Sequence, residues 1–265
     1  DAVARGMTNI DGDYVSLAKT SLRMGIATFY AVQVPLEMGQ DAIFGTPTPH
    51  TAQVDLGILD PDYVNIVPNG HEPFIGFALV QAAEAEEVHQ RAKDAGAKGL
   101  RIVGSIETGQ EMMQRLNESE VFVGLTGNWL SEEYAIATGA IDVFAMDMNC
   151  SVPSLGEIAD RYNTKLVAVS ELIGVPGTHE RIEYAPEKAA EQAQQLIDIA
   201  IANFSERKGK ETNPVERRQE IMTGFSTEAV LSALGGTLEP LLDAVTGGAV
   251  RGIVAMVSCT TLKNG

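Results

Sequence analysis

Residues 63–73 read Tyr-Val-Asn-Ile-Val-Pro-Asn-Gly-His-Glu-Pro. The first five are mostly β-branched or aromatic, the composition of a strand. Pro68 and Gly70 then punctuate the run, and His71 follows at once. Four more short apolar runs have the same form: 100–103 (LRIV), 121–124 (VFVG), 143–147 (VFAMD) and 165–169 (KLVAV). Between them lie longer stretches of helical content, over 77–95, 108–116, 130–138 and 154–162. Ala95-Gly96-Ala97-Lys98-Gly99 ends one such stretch and opens the next strand. Near-continuous apolar strands joined by helical crossovers predict an α/β fold: a Rossmann-like parallel sheet covered on both faces.

Outward from this centre the pattern changes. Residues 13–23 and 27–38 have helix-like content, and Gly45-Thr-Pro-Thr-Pro49 is a stiff connector. Residues 1–50 are therefore expected to be the tail of a helical domain, and 51–207 the Rossmann-like domain, closed by a long Ala-, Glu- and Gln-rich helix over 186–207. Residues 208–223 are charged and polar around Pro214 and are expected to be a linker. Residues 224–265 are expected to start a second Rossmann-like domain, with helices over 227–234 and 238–246 and a strand over 252–257. A lone strand is not stable by itself. With a first residue that is not Met, the chain is expected to be a segment of a longer polypeptide.

Composition narrows the classes. A hydrophobic fraction of 45% supports a large core and argues against disorder. A net charge of -17 argues against nucleic acid and anionic membrane surfaces as partners, since both demand Lys/Arg patches. No apolar run reaches the roughly 18 residues of a membrane span. Two distant cysteines make no disulfide framework, so a reducing cytoplasm is the expected location. No Gly-x-Gly-x-x-Gly follows a strand, and neither a phosphate-binding Gly-Lys-Ser/Thr nor a Gly-x-Ser-x-Gly elbow occurs.

In open α/β sheets ligands bind beyond the carboxyl ends of the strands. His71 follows the first strand, Glu107 the second, Cys150 the run 143–147, and Cys259 the run 252–257. All four are metal-ligand types, and thiolate with imidazole suits iron, nickel and iron–sulfur clusters. Cys259 would come from the following unit, which puts the site at a domain interface. Each residue also has a plainer reading. His71 could cap the helix that starts near Pro73, Glu107 could be a favourable charge at a helix start, and the cysteines could be packing thiols. Their shared position beyond strand ends favours the metal reading.

Several phrases in order carry a resemblance. They are Leu56-Gly-Ile-Leu-Asp60 leading to Val64-Asn-Ile-Val67, Gly70-His71-Glu72-Pro73, Ala95-Gly-Ala-Lys-Gly99, Gly127-Asn128, Glu133-Tyr-Ala-Ile-Ala-Thr-Gly139-Ala140-Ile-Asp142, and Asn149-Cys150-Ser-Val-Pro153. The chain resembles the central region of nickel–iron carbon monoxide dehydrogenase, within the carbon monoxide dehydrogenase and hybrid cluster protein superfamily. The resemblance implies a helical domain followed by two Rossmann-like domains, with a nickel–iron–sulfur cluster between them that interconverts CO and CO2. It implies a homodimer or larger complex and an electron carrier such as ferredoxin. His71 matches the family's histidine ligand to iron, and Cys150 and Cys259 match thiolate ligands of the cubane part. At Gly104-Ser-Ile-Glu-Thr-Gly109 the family has a pair of cysteines where this chain has Ile106-Glu107. Glu107 instead resembles the glutamate of hybrid cluster proteins, because a carboxylate is a harder ligand that favours oxygen-bridged iron. The alternatives are thus an iron–sulfur–oxygen hybrid cluster that reduces hydroxylamine or related nitrogen species, and a non-catalytic scaffold subunit that has lost its metal. Other catalytic residues are not identifiable in this chain.

Overall fold

In the computed structural model, residues 2–183, 185–252 and 254 are described. They form two compact units, which divide between Thr46 and Pro47.

The first unit holds α1 (Ala2–Met7), α2 (Tyr14–Thr28) and α3 (Val34–Phe44), with a π-helical turn, Phe29–Gln33, between the last two. Asp13 starts α2 by accepting a hydrogen bond from Ser16 N at 2.8 Å. Pro35 falls in the first turn of α3, where its missing N–H costs no helix bond. No residue of these helices is buried. Leu22, Ile26, Phe29, Tyr30 and Leu36 stand exposed.

The second unit is an α/β sheet. In chain order it runs β1 (His50–Val54), β2 (Val64–Gly70), α4 (Phe74–Ala83), α5 (Glu86–Asp94), β3 (Leu100–Ser105), α6 (Ile106–Arg115), β4 (Phe122–Leu125), α7 (Glu132–Ala137), β5 (Val143–Met146), α8 (Leu155–Tyr162), β6 (Lys165–Ala168), β7 (Glu180–Arg181), α9 (Ala189–Arg207), β8 (Gln219–Thr223), α10 (Thr227–Ala233) and α11 (Glu239–Thr246). Among the described residues eight strands lie in the order β7-β6-β5-β2-β3-β4-β1-β8, all parallel except the β1–β8 pair. The expected Rossmann-like parallel sheet is what the chain forms.

Burial on both faces explains the apolar strands. Ile66, Ile102, Val143, Ala145 and Val167 pack on one face against Leu79, Met112, Leu196 and Phe204 from α4, α6 and α9. Val67, Val103, Phe144, Met146 and Leu166 pack on the other against Ile136, Leu155 and Ala159 from α7 and α8. Neighbouring residues thus enter opposite cores, the period-2 geometry of a strand. Every residue of β2 is buried, as befits the strand at the centre.

Two features depart from the sequence reading. The helical stretch 77–95 is two helices, broken at Glu84-Ala85, where Ala85 is extended (φ -67°, ψ 128°). The charged stretch 208–223 ends in β8, which pairs with β1 from His50↔Thr223 to Val54↔Gln219. Its last five residues therefore belong to the sheet. Most of the strand expected over 252–257 lies outside the described residues.

At the amino-terminal edge of the strands Arg207 is buried whole. Its Nε donates to Asp142 Oδ1 at 2.7 Å, and its Nη atoms reach the carbonyls of Gly139, Pro61 and Tyr63 at 3.1, 3.2 and 3.1 Å. This ties the end of α9 to the starts of β2 and β5. Burial pushes Asp142 up to about 6 against the pull of the guanidinium, so the pair is ionic at neutral pH.

Candidate metal centre

The strand order sets where a site can form. The chain moves from β2 outward through β3 to β4, then returns to the other side of β2 with β5 and continues to β6. The sheet therefore reverses direction between β2 and β5. Loops leaving the carboxyl ends of such a pair diverge and open a crevice, the usual ligand site of this fold class. His71 follows β2, Glu107 opens α6 directly after β3 on the other flank of β2, and Cys150 follows β5. The registers Asn69↔Ser105 and Asn69↔Met146 put these three strand ends level.

His71 and Glu107 meet. His71 Nε2 lies 2.9 Å from Glu107 Oε2, with about half of the glutamate side chain exposed. The Glu107 hydrogen bond raises the His71 pKa against the opposing effect of burial. The same bond holds Glu107 below the usual carboxylate range. The other ring nitrogen, His71 Nδ1, is buried without a hydrogen-bond partner. Cys150 is exposed on the neighbouring loop. Cys259 lies outside the described residues. Among the described residues no three His, Cys, Asp or Glu side chains converge tightly enough to hold a metal ion by themselves.

The loops are held by a residue that sequence reasoning passed over. Asp147 ends the run 143–147 and is buried. Its Oδ1 accepts from His71 N at 2.8 Å and from Met148 N, and its Oδ2 accepts from Thr108 Oγ1 at 2.6 Å. One carboxylate thus fixes the His71 turn, the residue after Glu107 and the start of the Cys150 loop. Burial raises its pKa, with the hydrogen bonds from Thr108, His71, Met148 and Glu72 opposing. Gly70 lets the carboxylate approach: its φ is +135°, and a Cβ there would overlap the Asp147 carboxylate. Gly104 and Gly109 similarly bring β3 and α6 together, since a Cβ on Gly104 would sit 2.5 Å from Gly109 Cα. That contact seats the first turn of α6, and Glu107 with it.

Two rim residues carry left-handed backbone, Ile106 at φ 55° and Cys150 at φ 54°. A β-branched residue there is a clear outlier, and such positions store roughly 1–3 kcal/mol of strain, characteristically at functional sites. Ile106 is held by its N–H to Gly127 O at 3.0 Å and a bridge to Gly70.

Asn69 and Glu132 lie beneath the Cys150 loop. Asn69 Nδ2 donates to Ser151 Oγ at 3.1 Å and, more weakly, to Cys150 O at 3.5 Å. Glu132 Oε2 accepts from Val152 N at 3.1 Å. Asn69 and Glu132 also interact with each other. Two buried acceptors, Asn69 Oδ1 and Glu132 Oε1, remain to be satisfied, and a proton on Glu132 would convert one into a donor. Burial, aided by nearby Glu133, pushes Glu132 up to about 7 against the Val152 and Asn69 hydrogen bonds. A carboxyl whose folded pKa is raised favours folding below its unfolded pKa, and that contribution is lost as pH rises through the folded value. Glu132→Gln is therefore expected to be more stable than the parent at pH 8, by on the order of 2–3 kcal/mol. The gain should shrink to near zero by about pH 4.5. Denaturation midpoints across that range measure it, and a pH-independent difference would remove the buried-proton account. No local signal in the sequence singles out Asn69, Glu132 or Asp147, because a polar residue within or after an apolar run reads as a turn or a cap.

A model of the Prismane/CO dehydrogenase family matches residues 1–265. The chain is 57% identical over 259 residues to a carbon monoxide dehydrogenase of Archaeoglobus fulgidus, covering 98% of this chain and 41% of that protein. A nickel-free carbon monoxide dehydrogenase from Thermococcus sp. AM4 superposes with a TM-score of 0.91 at 37% identity, over 98% of this chain and 40% of that one. An acetyl-CoA synthase/carbon monoxide dehydrogenase whose alpha subunits hold NiZn[Fe4S4] and NiNi[Fe4S4] clusters superposes with a TM-score of 0.85 at 31% identity, over 95% and 37%. The chain thus spans about two-fifths of these relatives. Their names favour the carbon monoxide dehydrogenase branch and not the hybrid-cluster alternative that Glu107 suggested. With the whole sequence matched and its fold shared with these enzymes, the chain belongs to the Prismane/CO dehydrogenase family.

Proposed function

We propose that this chain is the central region of a metal-cluster oxidoreductase that interconverts CO and CO2 under anaerobic conditions in the cytoplasm. The observation that carries the reading is the meeting of His71 and Glu107 at 2.9 Å, at the reversal point of the sheet, with Cys150 on the adjoining loop. The donor set fits one half of a cluster site. His71 offers an imidazole whose Nδ1 is buried, Glu107 a carboxylate, and Cys150 and Cys259 thiolates. When bound, a nickel–iron–sulfur cluster supplies two-electron redox chemistry and a Lewis acid that binds oxygen donors.

The chain's own part is to place these donors. Asp147 fixes the His71 turn, and the Gly104–Gly109 contact fixes Glu107 on the opposite flank. The reaction also needs residues and electron-relay clusters beyond this stretch, an electron carrier such as ferredoxin, and assembly into a homodimer or larger complex. Full-length protein purified without oxygen tests the reading, through iron and nickel analysis and CO-dependent reduction of an artificial electron acceptor. Iron, nickel and CO oxidation together are expected. Iron with hydroxylamine reduction and no CO oxidation would replace the reading by hybrid-cluster chemistry, and absence of both metals by a scaffold role.

A further inference from the structure

We infer that Asn69 and Glu132 act as positioning residues that hold the Cys150 loop in its ligating conformation, joining it to the strand that carries His71. The inference rests on the reading of Cys150 as a cluster ligand.

Asp147 fixes the start of this loop through the Met148 N–H, and Asn69 and Glu132 hold its middle. Cys150 has left-handed backbone, a conformation that a side chain with a Cβ disfavours. Something must hold it there. The described contacts come from two directions. Asn69, on β2 two residues before His71, reaches Cys150 O and Ser151 Oγ. Glu132, in the first turn of α7, takes the Val152 N–H. The two side chains are buried, at 0% and 1% exposure, and they contact each other. The brace therefore runs from α7 through Asn69 to the centre of the sheet, under a loop whose cysteine is exposed. Buried polar side chains joined in this way rigidify what they contact. Ser154 adds an outer tie to Glu133, but that bond is exposed and lies at the foot of α8, beyond the cysteine.

A merely structural pair would lower global stability without singling out Cys150. A brace should act on the loop and on the cluster signature. The test uses the full-length protein, with Asn69→Leu, Glu132→Ala and Glu132→Gln. Glutamine keeps an acceptor for Val152 N and offers an NH2 to Asn69, so it is the conservative variant. In metal-free protein, amide exchange of the peptide spanning 148–154 should accelerate roughly tenfold in Glu132→Ala and Asn69→Leu, about one hydrogen bond's worth. Exchange in β3 should be unchanged, and Glu132→Gln should restore the parent rate. In the anaerobically purified protein, the two disruptive variants should alter the electron paramagnetic resonance spectrum of the cluster, and Glu132→Gln should not. Unchanged loop exchange overturns the brace, as does a uniform acceleration across the sheet. Loosening of the loop in a protein whose parent form binds no cluster leaves the brace standing and removes the metal reading instead.

Discussion

Arg207→Met is expected to destabilise the second unit by about 3–5 kcal/mol, the usual consequence of leaving one half of a buried ion pair alone. Arg207 is 2% exposed and Asp142 is fully buried, and the guanidinium meets both carboxylate oxygens, at 2.7 and 3.2 Å. Methionine fills similar volume but donates nothing. The carbonyls of Pro61, Tyr63 and Gly139 would lose their Arg207 donor along with the carboxylate. Asp142 would keep only the Asn65 N–H at 2.8 Å. The pH dependence has a definite sign. Burial already raises Asp142 to about 6, and losing the cation raises it further, so the variant suffers most above that pH and recovers as acid neutralises the carboxyl. Asp142→Asn in the Arg207→Met background should restore part of the loss, since asparagine removes the unpaired charge. Denaturant midpoints at pH 5 and pH 8 check both statements. A single variant within about 1 kcal/mol of the parent at pH 8 would show that the site relaxes enough to admit water.

The sheet was legible where burial is complete. β2, β3, β5 and β6 are apolar runs because both of their faces are covered, and such runs stand out in one dimension. Two strands at one end of the sheet were not legible. β1 (HTAQV) and β8 (QEIMT) carry polar residues, mostly half-buried in β1 and mostly exposed in β8, and what joins them is pairing across more than 160 residues, which no local pattern encodes. The same logic divides the site. Residues placed just after a buried strand could be listed by rule, which is how His71, Glu107 and Cys150 came to attention. Asp147, Asn69 and Glu132 could not, because their importance lies in which backbone groups they reach across the sheet. A polar residue at a strand end reads locally as a turn. The reversal of strand order between β2 and β5 was also unreadable, since it depends on the side to which β5 returns. It is this reversal that makes the carboxyl ends of β2 and β5 neighbours, and so gives the list of residues a common location.

Glu107→Ala is expected to lower bound iron at least tenfold in affinity, the scale on which even supporting residues of a metal site act. Glu107 occupies the position where the family resemblance implies a thiolate, and it does so on backbone set by a strained Ile106 and a glycine contact. Its carboxylate already reaches His71. Two readings share that geometry. In the first, Glu107 is a ligand, and its side chain converges on that of His71 because both would serve one metal. In the second, Glu107 only pairs with His71 and favours the start of α6, a helix-dipole effect of about 0.3–1 kcal/mol. Three substitutions separate them. Glu107→Ala removes both roles. Glu107→Gln keeps a hydrogen-bonding group for His71 but replaces an anionic donor with a neutral one. Glu107→Cys restores an anionic donor, now a soft one, and should favour a thiolate-rich cluster. If Glu107 is a ligand, iron per chain should fall in the alanine and glutamine variants, return in the cysteine variant, and return there with an altered absorption spectrum. Equal iron content and one spectrum across all four proteins would assign Glu107 to the His71 pair alone. The family membership would stand on the matched sequence, and the iron assigned to His71 would need its further donor from outside this stretch.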